Sequence, residues 1–133
     1  MSIQPAFDEA VAEFFHVIGQ PMRIQILLAI GKGEACVCHL EAYLGQRQAA
    51  ISQHLMVLRD GGLVTTHRDG RNIYYRLSQP EVLHLVHRAA LIIGLPAQDL
   101  GNLTHKPVFP CPCPHCNPDK AEGLGCTHLQ VLS

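Results

Sequence analysis

One ordered run of signals in the middle of the chain constrains the fold more than any other feature. A short helix over 37–44 ends at a glycine, and a second helix follows at once with an apolar stripe of Ile51, Leu55 and Leu58. Two β-rich segments then flank a turn at 69–72, which is the pattern of a β-hairpin. A helix, a turn, a helix and a hairpin in this order predict a winged helix-turn-helix.

The helices on either side of this unit are predicted to form a dimer. Residues 6–18 form an amphipathic helix, and Pro21 suits the first position of a second one. Pro80 begins a last helix, which runs from Glu81 to about Ile93 and is apolar on more than one face. Because such a helix is usually buried against a partner, we expect a homodimer joined by the first and last helices. The predicted fold class is mainly α with a β-hairpin wing.

A change in composition divides the chain into two parts. From residue 95 onward the sequence is rich in proline and glycine and has no hydrophobic period. We therefore expect a winged helix-turn-helix domain for DNA binding and dimerisation over 1–94. An irregular tail rich in cysteine and proline, expected to bind metal, follows over 95–133.

The sequence favours a cytoplasmic protein. No apolar run reaches 18 residues, so no membrane span is predicted. The N-terminal segment is acidic and lacks the basic region of a signal peptide. Thiols stay reduced in the cytosol, so the six cysteines are expected to be metal ligands or redox thiols rather than disulfides.

Positive charge is concentrated in one part of the chain. The net charge is −1, which by itself argues against a nucleic-acid partner, but residues 47–76 hold five arginines against two aspartates, a local charge of +3. Such asymmetry indicates a surface that faces an anion, here double-stranded DNA. Polar side chains of the second helix of the helix-turn-helix, called the recognition helix below, can meet base edges. Arginines of the hairpin can reach the DNA backbone or minor groove. The candidate contacts are Gln48, Ala49, Ser52, Gln53 and His54 in the helix and Arg68 and Arg71 in the hairpin.

The run CVCHLEAYLGQRQAAISQHLMVLRDGGLVTTHRDGRNIYYRLS resembles the arsenic-repressor (ArsR/SmtB) family of winged-helix metal sensors, and the match covers roughly residues 6–94. The resemblance implies a homodimer that binds operator DNA in the apo state and releases it on binding a metal ion or metalloid. Arg47 occupies a position where the family often has a helix-capping serine, and arginine is a poor cap. No paired carboxylates, nucleophile–base pattern or phosphate loop is found, so enzymatic activity is not expected.

Two cysteines, Cys36 and Cys38, stand at the start of the short helix. In a regular helix, residues two apart point about 200° from each other and cannot chelate one ion, whereas in an extended segment they lie on the same side. The pair therefore shares an ion only where the helix start is non-helical, and binding is expected to reshape the first turn and tilt the recognition helix away from DNA. The resemblance implies a third thiol three residues after the second cysteine, where this chain has Glu41.

The tail offers further thiols at Cys111, Cys113 and Cys116, with Cys126 beyond them. Two layouts are open. The four tail thiols hold an ion of their own, or the tail lends one or two thiols to the pair at the helix start. Thiolates suit soft ions, so the expected inducer is As(III), Cd(II), Pb(II) or Zn(II).

The function predicted from these features is a metal- or metalloid-responsive transcriptional repressor. The alternative is a repressor of the same fold that senses oxidants or reactive sulfur through cysteine oxidation. His84 and His87 share one face of the last helix. The zinc site implied by the resemblance needs further ligands at positions 82 and 94, which are Val82 and Gly94, so both histidines are interpreted as structural.

Overall fold

The computed structural model describes residues 6–95. In chain order, its helices and strands are α1 (Phe7–Ile18), α2 (Pro21–Ile30), β1 (Glu34–Cys36), α3 (Val37–Leu44), α4 (Gln48–Asp60), β2 (Val64–Asp69), β3 (Asn72–Leu77) and α5 (Glu81–Ile92). The predicted helices and the hairpin of β2 and β3 are confirmed, and the last helix ends one residue earlier than expected.

The sequence pattern does not predict β1. This strand pairs antiparallel with β3 and gives a three-stranded sheet of order β1-β3-β2, with Cys36 opposite Tyr74. Three residues are too few to show a period of two, and a pairing that joins distant parts of the chain leaves no local signal. The segment that precedes α3 is thereby hydrogen-bonded to the wing.

Local chemistry explains the boundaries of the helix-turn-helix. Gly45 follows α3 with a left-handed backbone (φ 66°), and its N–H donates to the carbonyl oxygen of Glu41 at 2.9 Å. This is a helix end that glycine favours, because a Cβ atom is strained at positive φ. Arg47 is the N-cap of α4 and its side chain forms no capping hydrogen bond, as the sequence predicts.

The turn of the wing lies between β2 and β3, at the position that the sequence predicts. Asp69 pairs with Asn72, so Gly70 and Arg71 are the two loop residues. Gly70 has φ 65°, and no other residue type has positive φ within residues 6–95. A type II′ turn requires a positive φ at the first of its two loop residues and not at the second. The turn expected at 69–72 is therefore confirmed, with Asp69 and Asn72 as the last paired residues of the two strands.

The core lies between α2, α3, α4 and the sheet. Its fully buried side chains include Ile26, Leu27 and Ile30 of α2, Leu40 of α3, and Ile51, Leu55 and Leu58 of α4. Each such side chain contributes about 1.5–3 kcal/mol on burial. The apolar stripe predicted on α4 is thus confirmed as its core face, which leaves the opposite face for another partner.

The first and last helices leave apolar surface uncovered. Val82 is the buried residue of α5, whereas Ile92 is 83% and Ile93 72% exposed. Phe15 of α1 is also exposed, and an apolar groove of about 510 Å³ runs between α1, α2 and α5. The prediction that the last helix is apolar on more than one face is confirmed. Across residues 6–95, no helix has the length and apolar character needed to span a membrane.

Candidate DNA interface and thiol site

α4 presents a polar face opposite its buried stripe. Ala49 and Gln53 are exposed, and Gln48 and Ser52 are half-buried beside them. Nε2 of Gln48 lies 3.5 Å from Oγ of Ser52, which is at the long limit for a hydrogen bond. Both groups can therefore give up this contact for a hydrogen bond to DNA. The helix therefore offers short amides and a hydroxyl on one surface, the kind of side chains that contact base edges in the major groove.

His54 differs from the other candidate contacts because it is attached to α2. Its Nδ1 accepts a hydrogen bond from Nε of Arg23 at 3.3 Å, while Nη1 of Arg23 donates to the carbonyl oxygen of Val17 at 2.9 Å. Burial, and then the positive charge of Arg23, lower the pKa of His54 below its ordinary value. One nitrogen of the ring thus belongs to the protein interior and is not available to DNA.

The wing carries two kinds of arginine. Arg68 and Arg71 are exposed, and within residues 6–95 neither forms an ion pair. Nη2 of Arg76, in contrast, lies 3.2 Å from Oε2 of Glu34, and Nδ1 of His67 lies 3.5 Å from the same oxygen. Glu34 therefore connects β1 to both strands of the hairpin. It also neutralises one of the arginines that the sequence counts toward the basic region.

Cys36 stands where β1 ends and α3 begins. Its backbone is extended (φ −88°, ψ 168°), it is the N-cap of α3, and its Sγ accepts a hydrogen bond from the backbone N–H of His39 at 3.4 Å. Cys38 lies in the first turn of the helix. The non-helical start required for a shared ion is present at Cys36 and ends before Cys38.

Both of these thiols are fully buried, at 0% exposure. A sensor that reacts with dissolved oxidants needs an accessible thiolate. The oxidation-sensing alternative is therefore not favoured by this arrangement.

Of the predicted metal ligands, Cys36 and Cys38 are the two that fall within residues 6–95. Among residues 6–95, no cluster of three or more Cys, His, Asp or Glu side chains is arranged to hold a metal ion. Cys111, Cys113 and Cys116 lie outside the described residues. His84 and His87 are on α5, exposed and half-buried respectively.

Two residues of this region are missed by the sequence analysis. Glu34 gains its role from the pairing of β1, which has no local signal. Arg23 is a half-buried basic residue on α2, whose other residues are apolar except for Gln25, and a charged residue in such a helix is a local signal of this role. Charged side chains are rarely buried without a partner, so its position indicates a polar contact.

Comparisons with known proteins agree with this geometry. The model of the family described as bacterial regulatory protein, arsR family, matches residues 20–66. A transcriptional repressor SmtB homolog of Synechocystis sp. is 37% identical over 93 residues, which cover 66% of this chain and 70% of that protein. The crystal structure of NolR from Sinorhizobium fredii is similar with a TM-score of 0.60 and 34% identity, over 71% of this chain and 100% of that one. A homodimeric winged helix-turn-helix DNA-binding domain from Mycobacterium bovis, a possible ArsR-family regulator, has a TM-score of 0.58 and 27% identity, over 70% of this chain and 90% of that one.

Proposed function

The chain belongs to the ArsR family of bacterial regulatory proteins, and from this premise we propose that it is a metal- or metalloid-responsive repressor. It is a winged helix-turn-helix protein that binds double-stranded DNA, and its family consists of transcriptional regulators rather than enzymes. In the proposed cycle, an apo homodimer in the cytoplasm binds operator DNA and leaves it when Cys36 and Cys38 coordinate a soft ion.

The proposed DNA contacts follow from exposure. Ser52 and Gln53 lie on the open face of α4, where they can choose between bases. Arg68 and Arg71 lie on the wing without protein partners within residues 6–95 and can contact phosphate oxygens. This division predicts that helix variants change sequence preference, while wing variants weaken binding to all duplexes.

The uncovered surface of α1 and α5 supports the homodimer. Exposed side chains such as Ile92 and Ile93 continue the apolar groove between α1, α2 and α5. A second copy of the chain is the proposed occupant, since the related domain from Mycobacterium bovis is homodimeric. A two-fold dimer presents two recognition helices to half-sites about one helical turn of DNA apart.

The position of Cys36 is the observation that carries the proposed metal response. It joins β1, which is bonded to wing strand β3, to α3, which packs against α4. Its Sγ also caps α3 through His39. An ion that takes this sulfur as a ligand competes with the cap, so the start of α3 and the attached recognition helix change together.

Burial of the pair requires that binding and conformational change are coupled. An ion cannot reach two side chains at 0% exposure unless the first turn of α3 opens. Opening also allows Cys38 to leave the helical geometry that directs it away from Cys36. The free N–H groups of a helix start favour thiolates, the form that binds metal.

Two thiols are too few for a trigonal or tetrahedral site of a soft ion, and the carboxylate of Glu41 is a hard ligand. We propose that the tail supplies the missing thiolates from Cys111, Cys113 and Cys116. Some 15 residues separate Leu95 from Cys111, and at up to ~3.3 Å per residue they exceed the width of a small domain. In the other layout, the same three thiols and Cys126 hold a separate ion.

The test is a titration of the full-length apo protein under reducing conditions. A fluorescent duplex selected by the protein from a random library reports DNA binding, and Zn(II), Cd(II), Pb(II) and As(III) are added in turn. Release at stoichiometric concentration of one ion supports the proposal. Release by an oxidant alone, with no response to any of the four ions, contradicts it.

Serine variants of the tail distinguish the two layouts. If the tail completes the site, changing Cys111, Cys113 and Cys116 together to serine should leave apo DNA binding intact and raise the ion concentration needed for release. If the tail holds its own ion, the same variant should lose bound metal yet respond normally through Cys36 and Cys38. Unchanged metal content together with an unchanged response contradicts both layouts.

A further inference from the structure

Arg23 connects three helices through one side chain. From α2 it donates to the carbonyl oxygen of Val17 in the last turn of α1, at 2.9 Å, and to Nδ1 of His54 on the recognition helix, at 3.3 Å. Both contacts are part-buried. The fork of the guanidinium group holds its donors in fixed relative directions, so the bond to α1 restrains the direction of the bond to His54.

The contact determines which nitrogen of His54 carries the proton. A guanidinium group only donates, and therefore Nδ1 is the acceptor nitrogen of a neutral ring. The proton of that ring is then on Nε2. The lowered pKa of His54, caused by burial and by the charge of Arg23, supports the neutral form.

The remaining nitrogen of His54 makes no hydrogen bond within residues 6–95. Within residues 6–95, the bond from Arg23 is the hydrogen bond that His54 makes, so Nε2 has no acceptor there. His54 lies on the side of α4 between the buried Leu55 and the exposed Gln53. An Nε2–H group at this edge of the recognition helix can donate to an acceptor at the rim of the DNA major groove.

We propose that Arg23 is a positioning residue for DNA binding: it fixes the ring and the tautomer of His54, so that Nε2–H donates to a phosphate oxygen. The inference rests on the proposed placement of α4 in the major groove. A base acceptor such as N7 of guanine offers the same chemistry. The phosphate is favoured because the bond to Arg23 holds the half-buried ring of His54 against α2, whereas Gln53 is exposed.

The source of the acceptor has a measurable signature. Loss of a phosphate contact weakens binding to a selected duplex and to an unrelated duplex by similar factors, whereas loss of a base contact affects the selected duplex alone. A neutral donor displaces no counterion, so the salt dependence of binding should stay unchanged in both cases. This separates His54 from Arg71, whose removal should reduce the salt slope.

Two amide variants test the role of His54. The amide of His54→Gln reaches the region of Nε2 and can keep an outward donor, while the shorter amide of His54→Asn reaches the region of Nδ1 and keeps only the contact with Arg23. We expect His54→Asn to weaken binding to both duplexes about two- to tenfold, the size of one net hydrogen bond, and His54→Gln, which keeps the outward donor without the fixed ring, to lose less affinity than His54→Asn. Equal affinity of the two variants overturns the proposal.

Arg23→Met tests the positioning. It removes the donors and keeps an apolar stem, and Lys32→Met is the matched control, because it removes one exposed charge in the turn after α2. Nitrogen-15 spectra of the imidazole should show the Nε2–H tautomer in the parent and in Lys32→Met, and a mixture in Arg23→Met. An unchanged tautomer in a folded Arg23→Met protein contradicts the assignment.

A double variant shows whether Arg23 acts through His54. Arg23→Met should weaken DNA binding in the parent and have no further effect once His54→Asn is present. Independent losses that multiply contradict the proposal, and should Arg23→Met fail to fold, the two amide variants still decide it. If Ser52→Ala and Gln53→Ala leave sequence preference unchanged, the docking of α4 is wrong. If those variants behave as expected while both His54 variants are silent, only this inference fails.

Discussion

Replacing Cys36 by serine and, separately, by alanine distinguishes the two roles that this side chain combines. In the apo protein Sγ is the N-cap of α3 and accepts the N–H of His39 at 3.4 Å. In the proposed induced state the same sulfur is a metal ligand. Serine keeps an acceptor at the cap and removes the soft ligand, whereas alanine removes both.

The size of the effect on apo stability follows from the geometry. A lost N-cap costs about 0.5–2 kcal/mol, and sulfur is a weak acceptor, so the lower half of that range applies. Cys36 is fully buried, and removal of its sulfur leaves a void comparable to a buried methylene, about 0.8 kcal/mol. We therefore expect Cys36→Ala to lower the free energy of unfolding by about 1–2 kcal/mol. Cys36→Ser should stay within about 1 kcal/mol of the parent, because hydroxyl oxygens are good caps.

Urea unfolding of full-length apo proteins at one fixed concentration measures these differences. The selected duplex, titrated with the inducing ion, measures the response in the same samples. Both variants should bind DNA in the apo state and both should fail to release it. Equal stability of the two variants would show that the cap at His39 is unimportant. A normal ion response in either variant would remove Cys36 from the inducer site.

Five further outcomes are expected. Arg47→Ser should raise the free energy of unfolding in urea by about 1 kcal/mol, because Arg47 is an N-cap without a side-chain bond. Gly70→Ala should lower it by about 1–2 kcal/mol, since φ is 65° there although space for a Cβ is open. Ser52→Ala should weaken binding to the selected duplex alone, by about 1–3 kcal/mol. Arg71→Ala should weaken binding to all duplexes and reduce the salt slope by about 1. Fluorescence anisotropy measures both effects. Because the pKa of His54 is lowered in the folded protein, the unfolded chain binds more protons at this residue. The contribution of neutral His54 to the free energy of unfolding is therefore complete above about pH 6.5 and is lost as the pH falls below that value. In urea unfolding measured at several pH values, His54→Gln should flatten this part of the stability profile.

The elements that the sequence predicts correctly are those with local signals. The stripe of Ile51, Leu55 and Leu58 identifies both the existence and the core face of α4, and all three are buried. Glycine identifies the end of α3, where positive φ is required. Such features depend on the period and backbone chemistry of a few neighbouring residues, which are visible in one sequence.

Features that depend on contacts between distant segments are not predicted. β1 exists because Glu34 and Cys36 pair with residues some forty positions later, Arg76 and Tyr74. The link from Arg23 to His54 spans 31 residues. Composition indicates that an arginine or a glutamate needs a polar partner, but only the fold determines which one, and this is why β1 and the link from Arg23 to His54 are not predicted.

The free energy of ion binding explains why the number of thiols matters for the proposed switch. Moving a population from about 99:1 to 1:99 takes a roughly 10⁴-fold difference in affinity between two states, about 5.5 kcal/mol. The lost cap at Cys36 and the newly exposed apolar surface, on the order of a few kcal/mol together, are the cost that keeps the first turn of α3 closed before the ion binds. Structural zinc sites with four ligands supply about 10–16 kcal/mol, which exceeds the roughly 5.5 kcal/mol that the whole shift requires. A pair of thiolates offers fewer ligands and a smaller binding free energy than a complete site, so Cys36 and Cys38 alone should give partial release, and further thiolates are needed for complete release.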